Sequence, residues 1–418
     1  MRLALSLVFC LQLFSGFGQQ YPYREIISTL CSPAYSGRGY VANGGPLAAQ
    51  LIASEFQKIG LKPFKSAYQQ SFTLPVQTFP GACTFVLGKD TLVPGKDYLV
   101  DPSSAGAAPT NYQLIYCNAA TLYRSVNAFK PCPKDRILVV QTFGYGGDTN
   151  KIIQTRLQEL KRFAATIELS DKKLTWSVSQ TASLYPAFQV LASSFITRPQ
   201  TAFIFLESQF IPNFKSSNVI GYLPAAQKAA KQPYIVLTAH YDHLGKMGSA
   251  TYFPGANDNA SGVGMLLYLA EQLSKKRNPN FNYVFIAFGA EEAGLVGSQH
   301  FVEHPLFDLK KIRFLLNTDI MGSGEEGITV VNATLFKPEF DRLTELNQEG
   351  KYLAQVKSRG PAANSDHYFF TEKGVPAFFI YTMGPNKHYH DIEDKAQELS
   401  YAAFEPLAQL LLNFVRSF

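Results

Sequence analysis

The sequence predicts an α/β fold: a doubly wound, largely parallel mixed sheet with helices on both faces, plus an inserted, mostly β module. Three observations predict it. From Asn218 onward, short apolar runs alternate with stretches of helical periodicity, the strand–helix–strand rhythm of a parallel sheet. Between about 81 and 215 that rhythm yields to short strand-like runs separated by Gly, Pro and Ser. The chain has 418 residues, enough for two domains of ordinary size. The expected division is a leader over 1–18, a sheet domain made of 19–80 and 216–418, and an insert over 81–215.

The elements follow in order. Met1-Arg2 is basic, Leu3 to Phe14 is apolar, and Gly16 and Gly18 are small, the pattern of a secretory signal peptide cut near Gly18/Gln19. Export to the periplasm or the exterior is therefore expected. Bulky Phe9 before Cys10 argues against a lipid anchor, and no later segment reaches the roughly 18 apolar residues of a membrane span. No stable membrane anchor is expected. Pro46–Ile59 reads as a helix: Pro suits its first position, Leu47, Leu51, Ile52, Phe56 and Ile59 share a face, and Gly60 stops it.

Within the insert, Thr84–Leu87, Arg136–Val140 and Pro186–Leu191 read as strands, and Lys151–Phe163 as a helix. Gly144-Tyr145-Gly146-Gly147 lacks the Lys-Ser/Thr of a phosphate loop and reads as a turn. Further on, Tyr234–Thr238, Tyr283–Phe288, Phe314–Leu316 and Val375–Tyr381 are buried strands. Asn259–Leu273, Asp366–Lys373 and Tyr401–Val415 are helices. Removing the leader leaves Cys31, Cys83, Cys117 and Cys132, without C-x-x-C spacing, as one or two bridges or as buried thiols. The formal charge of +6 is spread out, and its densest cluster, Lys275-Lys276-Arg277, ends a helix, where cations complement the dipole. That distribution argues against nucleic acid as a partner.

All seven histidines fall between 240 and 390, and chemistry-bearing residues recur where apolar runs stop. Parallel sheets bind ligands at such strand ends. Taken singly, His240 is a satisfied core or rim histidine, Asp258 a helix cap or Asx turn and Glu291-Glu292 a solvated pair. Taken together they are not, because adjacent carboxylates at a buried sheet end repel and resist desolvation unless cations neutralise them. Asp319 has the same problem, and His390 follows the last strand after a short loop. Asp242, two residues past His240, is expected to accept the imidazole's other N–H and fix its tautomer. Glycines 255, 262 and 264 around Asp258 suggest close backbone approach. The set suits a pair of metal ions. His243 reads as structural or at the rim, His388 as the lesser candidate beside His390, and His300 with His304 as an exposed helix face. Consecutive Ser365, Asp366 and His367 cannot face one another as a triad and read as positioning groups.

The segments A-H-Y-D-H-L-G, G-A-N-D-N-A-S-G, A-E-E-A-G-L-V-G-S, N-T-D-I-M-G, S-D-H-Y-F-F and H-Y-H-D-I-E-D resemble, in order over about 218–400, the dizinc exopeptidase family of secreted aminopeptidases. The insert more loosely resembles a protease-associated domain. The resemblance implies His240 and Asp319 on one zinc, Glu292 and His390 on the other, and Asp258 bridging both. It makes Glu291 the general base, Tyr389 an oxyanion donor and Asp242 the carboxylate that orients His240. It implies a cis bond after Asp258 and peptide substrates with a free N-terminus. The long spacing from His240 to Asp258 suggests that a loop near Lys246–Tyr252 lines the entrance.

A zinc glutaminyl cyclase of similar fold is the rival reaction, although that group carries Trp before the last His where this chain has Tyr389. A carboxypeptidase would need a basic pocket, for which Arg359 is the only obvious residue. A binding module on a dead scaffold would have lost ligands or base, and none is missing here. Nothing in the sequence fixes an oligomeric state.

Overall fold

The computed structural model describes residues 21–130, 132–227 and 232–418. The expected leader, with Cys10, lies outside the described residues. Among those described, no helix is long and apolar enough to cross a membrane.

The larger unit is built on eight strands in the order Gln69–Thr78, Gln209–Leu223, Asn282–Phe288, Tyr234–His240, Ile312–Thr318, Ala377–Met383, Gly327–Val331, Val356–Ser358. The four strands from Asn282–Phe288 to Ala377–Met383 are parallel. Antiparallel pairs extend the sheet on both sides, so it is mixed, with its parallel part in the middle. Central parallel strands are covered on both faces, which is why they read as unbroken apolar runs. Leu237 and Phe285 pack with Phe56, Leu267 and Leu411 of helices Gly44–Ile59, Ser261–Lys275 and Phe404–Arg416. Their neighbours Val236 and Ile286 point the other way, toward Phe301 and Phe370 of helices Val296–Glu303 and His367–Glu372.

Boundaries shift where local geometry overrides periodicity. The first long helix starts at Gly44 rather than Pro46 and ends at left-handed Gly60 (φ 86°). The helix expected from Asn259 starts at Ser261, because Asp258 (φ −111°, ψ 95°) and Asn259 leave helical values in the preceding turn. The Asp258–Asn259 peptide bond is cis. The last helix starts at Phe404, since Tyr401 adopts a positive φ of 54°.

A second eight-stranded sheet spans residues 83–206. Its strands Ala107–Tyr116, Arg136–Gln141, Ala165–Ser170 and Ala187–Leu191 are consecutive parallel neighbours. Helix Gly147–Leu160 covers Leu138 and Val140 through Ile153, Leu157 and Leu160. Gln209–Leu223 is one 15-residue strand, so residues 209–215 lie in the larger sheet. The two units share a core: Leu244, Met247 and Phe253 of the larger unit cluster with Phe79, Val100 and Trp176. Trp176 stacks on Phe253 with ring centroids 4.7 Å apart.

Two expectations are corrected here. Residues 246–252 do not line the cavity that holds His240. They form a small hairpin whose Met247 is sealed in the shared core, because an apolar side chain at that position gains more from burial between the units. The bridge alternative for the cysteines is also not observed: Cys31, Cys83, Cys117 and Cys132 are all free. Burial pushes the Cys31 thiol up to about 12, so it is an inert core group.

Candidate metal centre

Every candidate side chain arrives at the carboxyl edge of the parallel strands. His240 is the last residue of its strand, Asp319 follows Ile312–Thr318, and Glu291 and Glu292 follow Asn282–Phe288. Asp258 comes from the turn before the Ser261 helix, and Tyr389 and His390 from the loop after Ala377–Met383. Together they line a cavity of about 320 Å³ with Ile320, Arg359, Asn364, Phe379 and Tyr381.

Two groups of donors converge within it. His240 Nε2 lies 3.3 Å from Asp258 Oδ1 and 3.3 Å from Asp319 Oδ1. His390 Nε2 lies 3.1 Å from Asp258 Oδ2 and 3.1 Å from Glu292 Oε2. Ligands 2.0–2.1 Å from a tetrahedral ion stand about 3.3 Å from one another, so these separations match the edges of two coordination shells. The two oxygens of Asp258 face different imidazoles, as a bridging carboxylate requires. Asp319 Oδ2 accepts from Ser365 Oγ at 2.9 Å, while buried Oδ1 has no hydrogen-bond partner. An orphaned carboxylate oxygen aimed into a nitrogen–oxygen donor set fits a cation. Ser365 itself accepts from Asn317 Nδ2 at 2.7 Å, so it positions Asp319 rather than acting as a nucleophile.

Asp242 works differently from expectation. The nearer acceptor for His240 Nδ1 is the backbone carbonyl of Asp242, at 3.2 Å, with the carboxylate 3.9 Å away. The strand ends at His240, so the alternation that would place both side chains on one face no longer applies. The Asp242 carboxylate instead accepts from the backbone N–H groups of Glu291 (3.0 Å) and Glu292 (3.3 Å) and from the Tyr40 hydroxyl (3.1 Å). It therefore fixes the acidic pair, while its backbone orients the histidine. His243, expected to be structural or at the rim, is buried with Nδ1 2.7 Å from Glu292 Oε1, leaving Oε2 for the His390 side.

The Asp258 turn is held from three sides. Asp394 accepts from the backbone N–H groups of Asn257 and Asp258. Asn259 Oδ1 accepts from Gly262 and Ile320. The buried Arg38 guanidinium donates to the carbonyls of Leu30, Tyr241, Pro254 and Gly255, tying the His240 loop to this turn. At Gly255 (φ 59°) a Cβ would run into the His243 ring and the Asp258 carbonyl, which excludes any larger residue.

The charges reinforce one another. Burial alone would lower His390, but Glu292 and Asp258 raise it to about 11. Burial likewise opposes charge on His240, and Asp319 and Glu291 override it, raising that imidazole well above its usual range. Burial would raise Glu292, yet His390 holds it down to about 2. Both imidazoles thus carry protons at neutral pH whenever no cation replaces them, and metal uptake has to displace those protons. Zinc added to metal-free protein near pH 7 is expected to release about two protons per chain. Calorimetric titration in two buffers of different ionisation enthalpy measures this; zinc uptake with no proton release would show that these imidazoles are already neutral in the metal-free protein.

Residues 218–415 match the model of peptidase family M28. Over that segment the chain is similar to the family. The chain is 28% identical over 381 residues to aminopeptidase YwaD of Bacillus subtilis, covering 87% of its own length and 77% of the relative. It is 32% identical over 180 residues to the probable lipoprotein aminopeptidase LpqL of Mycobacterium tuberculosis, covering 40% of its own length and 34% of that relative. Its fold is similar to that of a solved zinc aminopeptidase from Bacillus subtilis, with a TM-score of 0.69, 20% identity, and 94% and 93% of the two chains covered.

The segment between strands Ala165–Ser170 and Ala187–Leu191 of the second sheet reaches the candidate metal centre. The Trp176 carbonyl lies 2.8 Å from His390 Nδ1, and the Trp176 N–H donates to the His390 carbonyl at 3.0 Å. A proton on Nδ1 leaves Nε2 unprotonated toward Asp258 and Glu292, the state a metal needs. Lys173 pairs with Asp391 at 2.5 Å and donates to the carbonyls of Tyr389 and Lys387. Sequence reasoning found neither contact, nor those of Arg38 and Asp394. Asp394 alone had a signal, standing inside the quoted H-Y-H-D-I-E-D segment. Lys173→Ala is expected to weaken metal binding at the His390 position about tenfold without unfolding the protein. Chelator competition alongside circular dichroism checks this.

Proposed function

We propose that this chain is an exported zinc aminopeptidase that removes N-terminal residues from peptides, with two zinc ions held by His240, Asp258, Asp319, Glu292 and His390. The observation that carries the reading is Asp258, whose two oxygens each face a separate His–carboxylate pair. The aminopeptidase relatives support the reaction class. The residues over 1–18 serve as the leader, and the second sheet as a protease-associated-like module.

Bound zinc supplies a polarised scissile carbonyl and a water acidified toward about pH 7. The chain's own residues do the rest. Glu291, beside ligand Glu292, takes the water's proton and delivers it to the leaving amine. Burial raises its carboxyl well above the usual range against the opposing charge of His240, with Glu292, Asp366 and Asp319 adding repulsion, which makes it a stronger base toward the water's proton. Tyr389, on the cavity wall and stacked on His390 with centroids 3.8 Å apart, is placed to donate to the developing oxyanion. The acidic floor receives the substrate's α-ammonium group, which restricts cleavage to free N-termini.

Metal analysis together with amino-acyl arylamides and an N-terminal Gln peptide tests the assignment. Two zinc ions per chain and arylamide hydrolysis are expected. One zinc, ring closure of Gln and no arylamide hydrolysis would replace this reading with the cyclase.

A further inference from the structure

The cavity wall carries one Lys or Arg among the described residues, and it is Arg359. Arg359 is exposed and follows the edge strand Val356–Ser358. Its backbone N–H donates to the Val330 carbonyl at 2.9 Å, which fixes the base of the side chain. Its Nη1 donates to Tyr381 Oη at 3.1 Å, and its guanidinium carbon lies 6.0 Å from the Tyr381 ring centroid. Tyr381 is the residue after Ile380, whose carbonyl accepts from the N–H of ligand Asp319 at 3.1 Å. The cation is therefore aimed by a side chain one residue from the metal centre's own scaffold. It has no carboxylate partner within the protein among the described residues, although the cavity holds four carboxylates.

A guanidinium has five N–H donors in a planar fork, and the bond to Tyr381 leaves the others free. Two parallel N–H groups match a carboxylate, and a fork already held by a tyrosine loses little freedom on binding one. We infer that Arg359, held by Tyr381, recognises a carboxylate on the substrate close to the scissile bond. This rests on the aminopeptidase reading and names its substrate class: peptides bearing either an acidic N-terminal side chain or the C-terminal carboxylate of a dipeptide.

The test uses matched pairs. Glu-arylamide against Gln-arylamide isolates the side-chain carboxylate, and Leu-Leu against Leu-Leu-amide isolates the terminal one. In the zinc-loaded wild type, one acid member is expected to exceed its neutral partner in kcat/KM by at least about tenfold, and Arg359→Gln to abolish that preference. Tyr381→Phe should retain part of it. Leu-arylamide hydrolysis by the same samples reports separately on the aminopeptidase reading. Calorimetric binding of the same pairs to zinc-loaded Glu291→Gln protein, with and without Arg359→Gln, reads the carboxylate site without turnover. Acid and neutral members indistinguishable in wild type, or a preference that survives Arg359→Gln, would overturn the inference.

Discussion

Replacing Glu291 by Gln is expected to leave the zinc content unchanged and to slow peptide hydrolysis by about 10²–10⁴-fold. The amide keeps the shape of the side chain but cannot take a proton from water. Its backbone position persists, because the Glu291 N–H still donates to Asp242 Oδ1 at 3.0 Å. The variant also separates two roles that geometry alone allows. A Glu291 oxygen lies within 4.8 Å of donor atoms on both His240 and Asp319, close enough to belong to the same cluster. It makes no ion pair with His240, however, whereas Asp258 and Asp319 both do at 3.3 Å. A ligand role predicts lost metal; a base role predicts lost rate with metal intact. Metal analysis of the variant beside kcat/KM on an amino-acyl arylamide decides between them. An undiminished rate would end the base assignment.

The centre was readable because charge at the end of a buried strand demands an explanation. Tyr234–His240 and Asn282–Phe288 are apolar on both faces, so His240 and the Glu291-Glu292 pair stand out where those runs stop. The sheet's flanks were not readable for the opposite reason. Gln69–Thr78 mixes polar and apolar residues and contains Pro75, where the pairing slips between Leu74 and Val76. Its partner Gln209–Leu223 is exposed or half-buried over residues 209–216, and neither advertises a core strand. Supporting contacts were hidden by distance along the chain. Arg38 reaches carbonyls more than 200 residues away, and Trp176 meets His390 across 214. Local pattern carries no trace of such pairs. Asp242 shows a subtler limit: its importance was legible, but its contacts depend on how the backbone leaves the strand, which only tertiary structure sets.

Asp258→Ala is expected to empty both metal positions and remove activity. Asp258 Oδ1 stands with His240 and Asp319, and Oδ2 with His390 and Glu292. Deleting the carboxylate leaves each position two of these protein ligands, below the three that catalytic zinc sites use. Altering a group that merely orients a ligand costs about 10–100-fold in affinity, so losing a shared ligand should exceed about 100-fold at each position. The turn should survive, because Asp394 binds the backbone N–H groups of residues 257 and 258, not the deleted side chain. Zinc at about 1,000 times its dissociation constant stabilises a folded protein by about 4 kcal/mol per site, so wild type should gain a clear rise in Tm that Asp258→Ala lacks. Asp258→Asn adds a graded test. Its amide has one oxygen to offer and an N–H₂ that repels a cation, so it should hold about one zinc per chain. Two zinc ions retained in the alanine variant would dismantle the bridge, whatever the activity showed.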